Sequence, residues 1–181
     1  MNTQEEYIRY KVCIFGDGGV GKTSLTHRFL EGVFKDTYQL TIGMDFYVKK
    51  LEIDNKKISL QIWDFAGEDR FKFILPSYIQ GSSGCIFMFD LTRYSSIRNL
   101  SDWMDVFNKG AKNPDKKIPL IMVGGKLDLN NKRSVESDHA AEFAEKNDFY
   151  DYLECSSKTG ENVEEIFERI TKIMLDKADS V

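Results

Sequence analysis

The sequence predicts an α/β fold, a three-layer domain around a mostly parallel sheet. Three observations predict it. Strand and helix patterns alternate along the chain. Cys85-Ile86-Phe87-Met88-Phe89 and Leu120-Ile121-Met122-Val123 are continuous apolar runs, as strands covered on both faces require. Residues 58–63 alternate instead, Ile58, Leu60 and Ile62 against Ser59, Gln61 and Trp63, the period of a strand with one buried face.

In chain order, Tyr10 to Phe15 reads as a buried strand and Lys22 to Leu30 as a helix with Leu25 and Phe29 on one face. Phe46 to Ile53 forms a hairpin with the alternating strand across a turn at Asp54-Asn55-Lys56. Helix patterns follow the later strands near residues 97–110 and 136–146. The last helix is expected to start at Asn162, with Glu165 completing a capping-box-like pair. Val163, Ile166, Phe167, Ile170 and Met174 form its apolar stripe, which reads as core.

Composition bounds the function. At 181 residues the chain is expected to be a single domain over 1–181, with an ordered core over about 7–175. Twenty-five Lys and Arg face 29 Asp and Glu, for a net charge of −4 and no basic stripe, so no nucleic-acid partner is expected. No apolar run approaches the roughly 20 residues that span a bilayer. The first ten residues, MNTQEEYIRY, are polar and acidic, unlike a secretory signal. Cys13, Cys85 and Cys155 lie far apart in the sequence and read as buried free thiols of a cytoplasmic protein.

The chemistry concentrates in Gly16-Asp17-Gly18-Gly19-Val20-Gly21-Lys22-Thr23-Ser24, which sits between a strand and a helix and fits the phosphate-binding pattern G-x-x-x-x-G-K-[ST]. Phosphate oxygens need backbone N–H donors, and glycine allows the backbone to approach in unusual conformations. The helix N-terminus adds partial positive charge. Gly18, Gly19, Val20, Gly21, Lys22, Thr23 and Ser24 are therefore candidate nucleotide contacts, with Lys22 on the β- and γ-phosphates and Thr23 on Mg²⁺.

Three later stretches narrow the nucleotide. Asp64, at the end of the third strand, suits a carboxylate on the Mg²⁺ side, and the Gly67 N–H suits the γ-phosphate. Asp128, in Gly125-Lys126-Leu127-Asp128, can accept from both N1–H and N2–H of guanine, an edge on which adenine offers neither donor. The Ser157 N–H, in Cys155-Ser156-Ser157-Lys158, could meet guanine O6. Lys126, Leu127, Asp128, Ser156, Ser157 and Lys158 are the candidate base-recognition residues.

With these stretches in order, the chain from about Tyr10 to Met174 resembles a small GTPase of the Ras superfamily, most closely the Rab branch. Thr41-Ile42-Gly43-Met44-Asp45-Phe46 is similar to a Rab first switch, and Arg70, Phe71 and Tyr78 fit a Rab second switch. The resemblance implies the small GTPase fold, a mostly parallel six-stranded sheet with one antiparallel strand and about five helices. It implies GTP or GDP with Mg²⁺ as cofactors, GTP hydrolysis, and a monomer. It implies that Phe34 packs on the guanine, that Tyr38 covers the phosphates, and that Thr41 ligates Mg²⁺ and the γ-phosphate only in the GTP state. Lys22, Thr41, Gly67 and Glu68 become the catalytic candidates, and Thr23, Thr41 and Asp64 the metal candidates. Phe46, Trp63 and Tyr78 become an aromatic triad read by effector proteins, with activating and exchange proteins as further partners.

The departures from the family shape the expected activity. Glu68 stands where the family has a glutamine that orients the attacking water. An ionised carboxylate only accepts hydrogen bonds. Facing a phosphate oxygen it is repelled by about 4 kcal/mol at about 4 Å in a dielectric near 20. Slow intrinsic hydrolysis is expected; the alternative is a guanine-nucleotide-binding interaction module that does not hydrolyse. Gly125 replaces an asparagine that contacts guanine and ties its loop to the phosphate loop, which predicts weaker binding and faster release. Phe65 stands where threonine is common. No arginine lies between Phe34 and Gly43, so an arginine finger is expected from an activating protein in trans. The last residues, Asp176 to Val181, carry no cysteine and no polybasic run, so no lipid anchor is expected in this stretch. Peripheral membrane association would need a longer tail or another anchor. A nucleotide kinase would need an arginine-rich lid and an acceptor site, and neither is legible.

Overall fold

A computed structural model of the chain describes residues 6–37, 40–112 and 117–180. Its strands are β1 (Ile8–Phe15), β2 (Met44–Ile53), β3 (Lys56–Phe65), β4 (Gly84–Asp90), β5 (Leu120–Gly125) and β6 (Asp151–Glu154). Its helices are α1 (Lys22–Glu31), α2 (Leu75–Ile79), α3 (Tyr94–Arg98), α4 (Leu100–Gly110), α5 (Ser137–Lys146) and α6 (Val163–Asp179). The strands form one sheet in the order β2-β3-β1-β4-β5-β6. Only the β2–β3 pair is antiparallel.

The apolar runs are continuous because both faces of the central strands are covered. Successive residues of a strand point to opposite faces. In β1, Val12 and Ile14 enter a core with Leu25 and Phe29 of α1 and Phe167 and Ile170 of α6. Cys13 and Phe15 enter a second core with Trp103 and Phe107 of α4 and Ala140 of α5. The Phe29 and Phe167 rings stack with centroids 3.9 Å apart. The hairpin turn is tighter than the sequence suggests. Asp54 and Asn55 alone take positive φ, 51° and 61°, the pairing a two-residue primed turn needs, and Lys56 already pairs with Ile53.

Two expectations change. The pattern near 97–110 divides at Asn99 into α3 and α4, giving six helices among the described residues where about five were expected. The Asn162–Glu165 capping pair does not form. Asn162 sits at φ 59° and its side chain makes no cap bond. Its amide donates instead to the Glu154 carbonyl at 2.8 Å, tying the start of α6 to β6. All three cysteines are free and buried. Cys13 and Cys85, far apart in sequence, are register partners on β1 and β4. Among the described residues, no helix is long and apolar enough to cross a membrane.

The parallel strands all deliver their carboxyl ends to the same edge, and the loops leaving β1, β3, β4, β5 and β6 meet there. A ligand crevice is expected at such an edge.

Candidate functional site

At that edge lies a cavity of about 450 Å³, lined at one end by the glycine loop after β1 and at the other by the loops after β5 and β6. Gly18 to Ser24 all line it. The chain leaves β1 through Gly16 at φ 142°, where an added β-carbon would lie 2.1 Å from the Met88 carbonyl oxygen. Gly21 at φ 107° turns the chain into α1. Among the described residues, the N–H groups of Gly19, Val20, Gly21, Lys22 and Thr23 meet no protein acceptor. They form a row of donors at a helix N-terminus, suited to an anion.

Lys22 folds back over this loop, and its ammonium donates to the Gly16 carbonyl at 2.9 Å and the Asp17 carbonyl at 2.8 Å. Burial pulls its pKa down to about 8, with Asp64 and Asp17 acting in the opposite sense. The loop is pinned from outside as well. The Asp17 carboxylate accepts from Asn99 Nδ2 at 2.8 Å and from Trp103 Nε1 at 2.7 Å. The Gly18 N–H donates to the Gly67 carbonyl at 3.1 Å.

Thr23, Thr41 and Asp64 converge, although 41 residues of sequence separate the first from the last. Thr23 Oγ1 lies 2.9 Å from Thr41 Oγ1 and donates to Asp64 Oδ2 at 2.5 Å. The other Asp64 oxygen, Oδ1, is buried with no hydrogen-bond partner. Burial raises the Asp64 pKa to about 6, against the pull of the Thr23 hydroxyl and Lys22. Two hydroxyls and a carboxylate with an unsatisfied oxygen form the hard oxygen set that suits Mg²⁺. The residues fit that ion.

Gly67 approaches the phosphate loop so closely that a β-carbon would lie 2.2 Å from Gly18 N. The contact there is its carbonyl, whereas the sequence directed attention to its N–H. Glu68 borders the cavity, but its Oε2 accepts from Arg70 Nε at 2.6 Å. The pair draws the carboxylate toward the second-switch segment, which forms a 3-10 turn over Asp69–Ile74.

At the other end, Asp128 Oδ1 accepts from Ser156 Oγ at 2.7 Å, leaving the rest of the carboxylate for the cavity it lines. Ser156 is fully buried and acts by holding Asp128. Lys126, Ser157 and Lys158 also line the cavity, as does Phe34. Tyr38 lies outside the described residues. Leu127, like Ser156, does not line the cavity. Its side chain packs against the second core and its N–H donates to the Cys155 carbonyl at 3.0 Å.

The structure adds residues that sequence reasoning passed over. Met88, within an apolar run that reads as core, borders the cavity. A β-carbon on Gly125 would meet its Cε at 2.5 Å, so the methionine fills the space an asparagine side chain would need. Leu129 also lines the cavity. Asp90, at the end of β4, pairs with the Lys126 ammonium at 2.7 Å. Only the position of Asp90 at a strand's carboxyl end could have singled it out.

Away from the cavity, Phe46, Trp63 and Tyr78 form a continuous aromatic row, with centroids 4.8 Å and 5.1 Å apart. The Lys11 ammonium lies 5.2 Å from the Trp63 centroid and 5.7 Å from that of Tyr78. Phe65 meets Tyr78 edge-on at 5.4 Å, so its bulk packs beneath the second switch. Phe46, within this row, leaves apolar surface exposed, as do Ile42 and Phe73.

Comparison with known proteins places this arrangement. The Ras family model matches residues 11–176. The human Ras-related protein Rab-30 is 40% identical over 167 residues, covering 92% of this chain and 80% of the relative. Rab-1 of Theileria parva is 38% identical over 169 residues, covering 93% of this chain and 75% of the relative. Rab-7a of Dictyostelium discoideum is 35% identical over 183 residues, covering 100% of this chain and 89% of the relative. The chain therefore belongs to the Ras family, as a Rab-like small GTPase with a P-loop.

Proposed function

We propose that this protein is a Mg²⁺-dependent switch that binds GDP and GTP, hydrolyses GTP slowly, and presents its switch loops to effectors in a Rab-like trafficking or signalling role. The observation that carries this is one cavity with unpartnered backbone donors at one end and Asp128, oriented by Ser156, at the other. Asp128 selects guanine by accepting from two donors of its Watson–Crick edge. The Ser157 N–H meets guanine O6 and Phe34 covers the ring in this reading, both residues lining the cavity. Lys22 exchanges its two carbonyl contacts for phosphate oxygens. Gly67 sits at the γ-phosphate side.

Thr23, Thr41 and Asp64 would hold Mg²⁺, which when bound neutralises phosphate charge. Thr41 belongs to the first-switch loop, and its bond to Thr23 ties that loop to α1. Gly67 ties the second-switch loop to the phosphate loop. Both loops thus border the place of the terminal phosphate, and in this reading the phosphate and Mg²⁺ add contacts to Thr41 and Gly67 that are lost on hydrolysis. Phe46, Trp63 and Tyr78 then report the state to an effector. Activating and exchange proteins act on the same loops, an activating protein supplying an arginine and a group to place the water. The protein works as a monomer. A cytoplasmic setting fits its three free, buried cysteines.

The Glu68–Arg70 pair favours slow chemistry. A carboxylate turned to Arg70 neither donates to the transition state nor positions water. Glu68→Gln is expected to raise the single-turnover GTP hydrolysis rate about tenfold, about 1.4 kcal/mol off the barrier. A glutamine variant no faster than the parent contradicts this; no turnover in either, with or without candidate activators, supports the non-hydrolysing module instead.

Met88 changes what Gly125 predicts. Gly125→Asn alone crowds the Met88 methyl and leaves GDP release no slower. Combined with Met88→Val it slows release by roughly tenfold, the effect of one recovered hydrogen bond. Equal slowing in the single and the double variant would show that Met88 does not fill the asparagine's place.

Asp64 gives a pH signature in nucleotide-free, Mg²⁺-free protein. Its folded pKa, about 6, exceeds the unfolded value of 3.8. Above pH 6 the buried carboxylate is charged in both states and destabilises the fold by about 3 kcal/mol. The folded state takes up the proton first as pH falls from 6 toward 3.8, and the cost disappears. Asp64→Asn should therefore be the more stable protein at pH 7.5, with the gap closing below pH 4. A gap constant with pH in denaturant titrations contradicts the burial cost.

A further inference from the structure

Arg93 follows β4 and precedes α3, and it does not line the nucleotide cavity. Its Nη2 donates to the Gly18 carbonyl oxygen at 2.6 Å, from behind the phosphate loop. The chain has no cis peptide bond among the described residues. In a planar trans peptide the N–H points opposite to the C=O. The peptide that offers its carbonyl to Arg93 therefore aims its other end, the Gly19 N–H, away from Arg93. Gly18 and Gly19 both line the cavity. The Gly19 N–H thus points away from Arg93 on a residue that lines the cavity, and it meets no protein acceptor among the described residues.

A charged donor on a carbonyl polarises the whole amide. Charge-assisted hydrogen bonds are about twice as strong as neutral ones, and linked hydrogen bonds reinforce one another. A guanidinium on Gly18 O makes Gly19 N–H a better donor to whatever anion it meets.

The arginine is held there at a cost. Its Nε is buried with no hydrogen-bond partner. A side chain kept only for packing would not need a buried, unsatisfied charged donor. Its backbone is fixed as well. The Arg93 N–H donates to the Asp90 carbonyl at 3.0 Å, and the Leu91 N–H to the Gly125 carbonyl at 3.1 Å. The Asp90 carboxylate pairs with Lys126 at 2.7 Å. Residues 90–93 therefore join the base end of the cavity to the phosphate end, a tie that Gly125 cannot make with a side chain.

We propose that Arg93 is a positioning residue for phosphate binding, acting through the Gly18 carbonyl to strengthen the Gly19 N–H as a donor to the nucleotide. This rests on the nucleotide-binding function proposed above.

The test uses the ¹⁵N-labelled 181-residue protein loaded with GDP and Mg²⁺, comparing the parent with Arg93→Met and Arg93→Lys. Two quantities are read: the GDP release rate and the Gly19 amide proton shift. Arg93→Met should release GDP tenfold or more faster, roughly the effect of a lost hydrogen bond to a charged group. It should also move the Gly19 amide proton upfield while the Asp128 and Ser157 amides stay in place. Arg93→Lys, which keeps a charged donor, should recover part of both effects. An unchanged release rate, or faster release with the Gly19 resonance unmoved, overturns the proposal. If Arg93→Met does not fold, Arg93→Gln, neutral yet able to donate, is read by the same two criteria. A parent protein that does not take up GDP contradicts the nucleotide-binding function itself, and is distinguished by that failure.

Discussion

A β-carbon at Gly16 would lie 2.1 Å from the Met88 carbonyl oxygen, and one at Gly67 2.2 Å from the Gly18 nitrogen. At both places backbone touches backbone, and only glycine permits it. The phosphate loop is thereby pressed between β4 on one side and the second-switch loop on the other. With its carbonyls engaged by Lys22 and Arg93, its amide groups turn to the cavity. The donor row, the start of α1 and the contact with Gly67 all follow from this crowding. A larger residue at either glycine would move the loop and every donor on it.

The charges around the loop are arranged against their own comfort. Lys22 and Asp64 are both buried, and burial opposes the charged form of each. The Nε of Arg93 and the Oδ1 of Asp64 have no partner. Such groups are destabilising unless something completes them. A phosphate chain with a metal ion would complete two of these groups, bringing anionic oxygens to Lys22 and a cation to Asp64, while Arg93, outside the cavity, keeps its Gly18 contact. Asp17 is the contrast. Both its oxygens are satisfied by Asn99 and Trp103, so it serves structure and binds the loop to α4. The Lys72 ammonium lies 4.5 Å from the Trp103 ring centroid, which brings the second-switch segment into the same contact chain.

Much of the site was legible because its chemistry is local in sequence. The glycine loop, Lys22 and Thr23 occupy consecutive positions and need only a strand before and a helix after. Asp64 and Asp128 stand at or just beyond strand ends, where apolar periodicity stops and polar chemistry starts. What stayed hidden depends on contacts across the sheet. Met88 reads as one more apolar strand residue until its methyl is seen in the space beside Gly125. Arg93 reads as a loop cation until the fold brings it within hydrogen-bonding distance of residue 18, across 75 positions of sequence. Leu127 lies between Lys126 and Asp128 in sequence, yet its side chain packs against the second core. Asn162 carries a capping residue's identity, but its left-handed backbone sends the amide to β6.

The most direct measurement is equilibrium competition on the purified protein with Mg²⁺, comparing GTP and GDP with ATP and ADP. Asp128 can pair with two donors of guanine and none of adenine, so the guanine nucleotides should bind tighter by a factor on the order of 10⁴. Comparable affinity for ATP would contradict a cavity built to hold a guanosine phosphate from both ends.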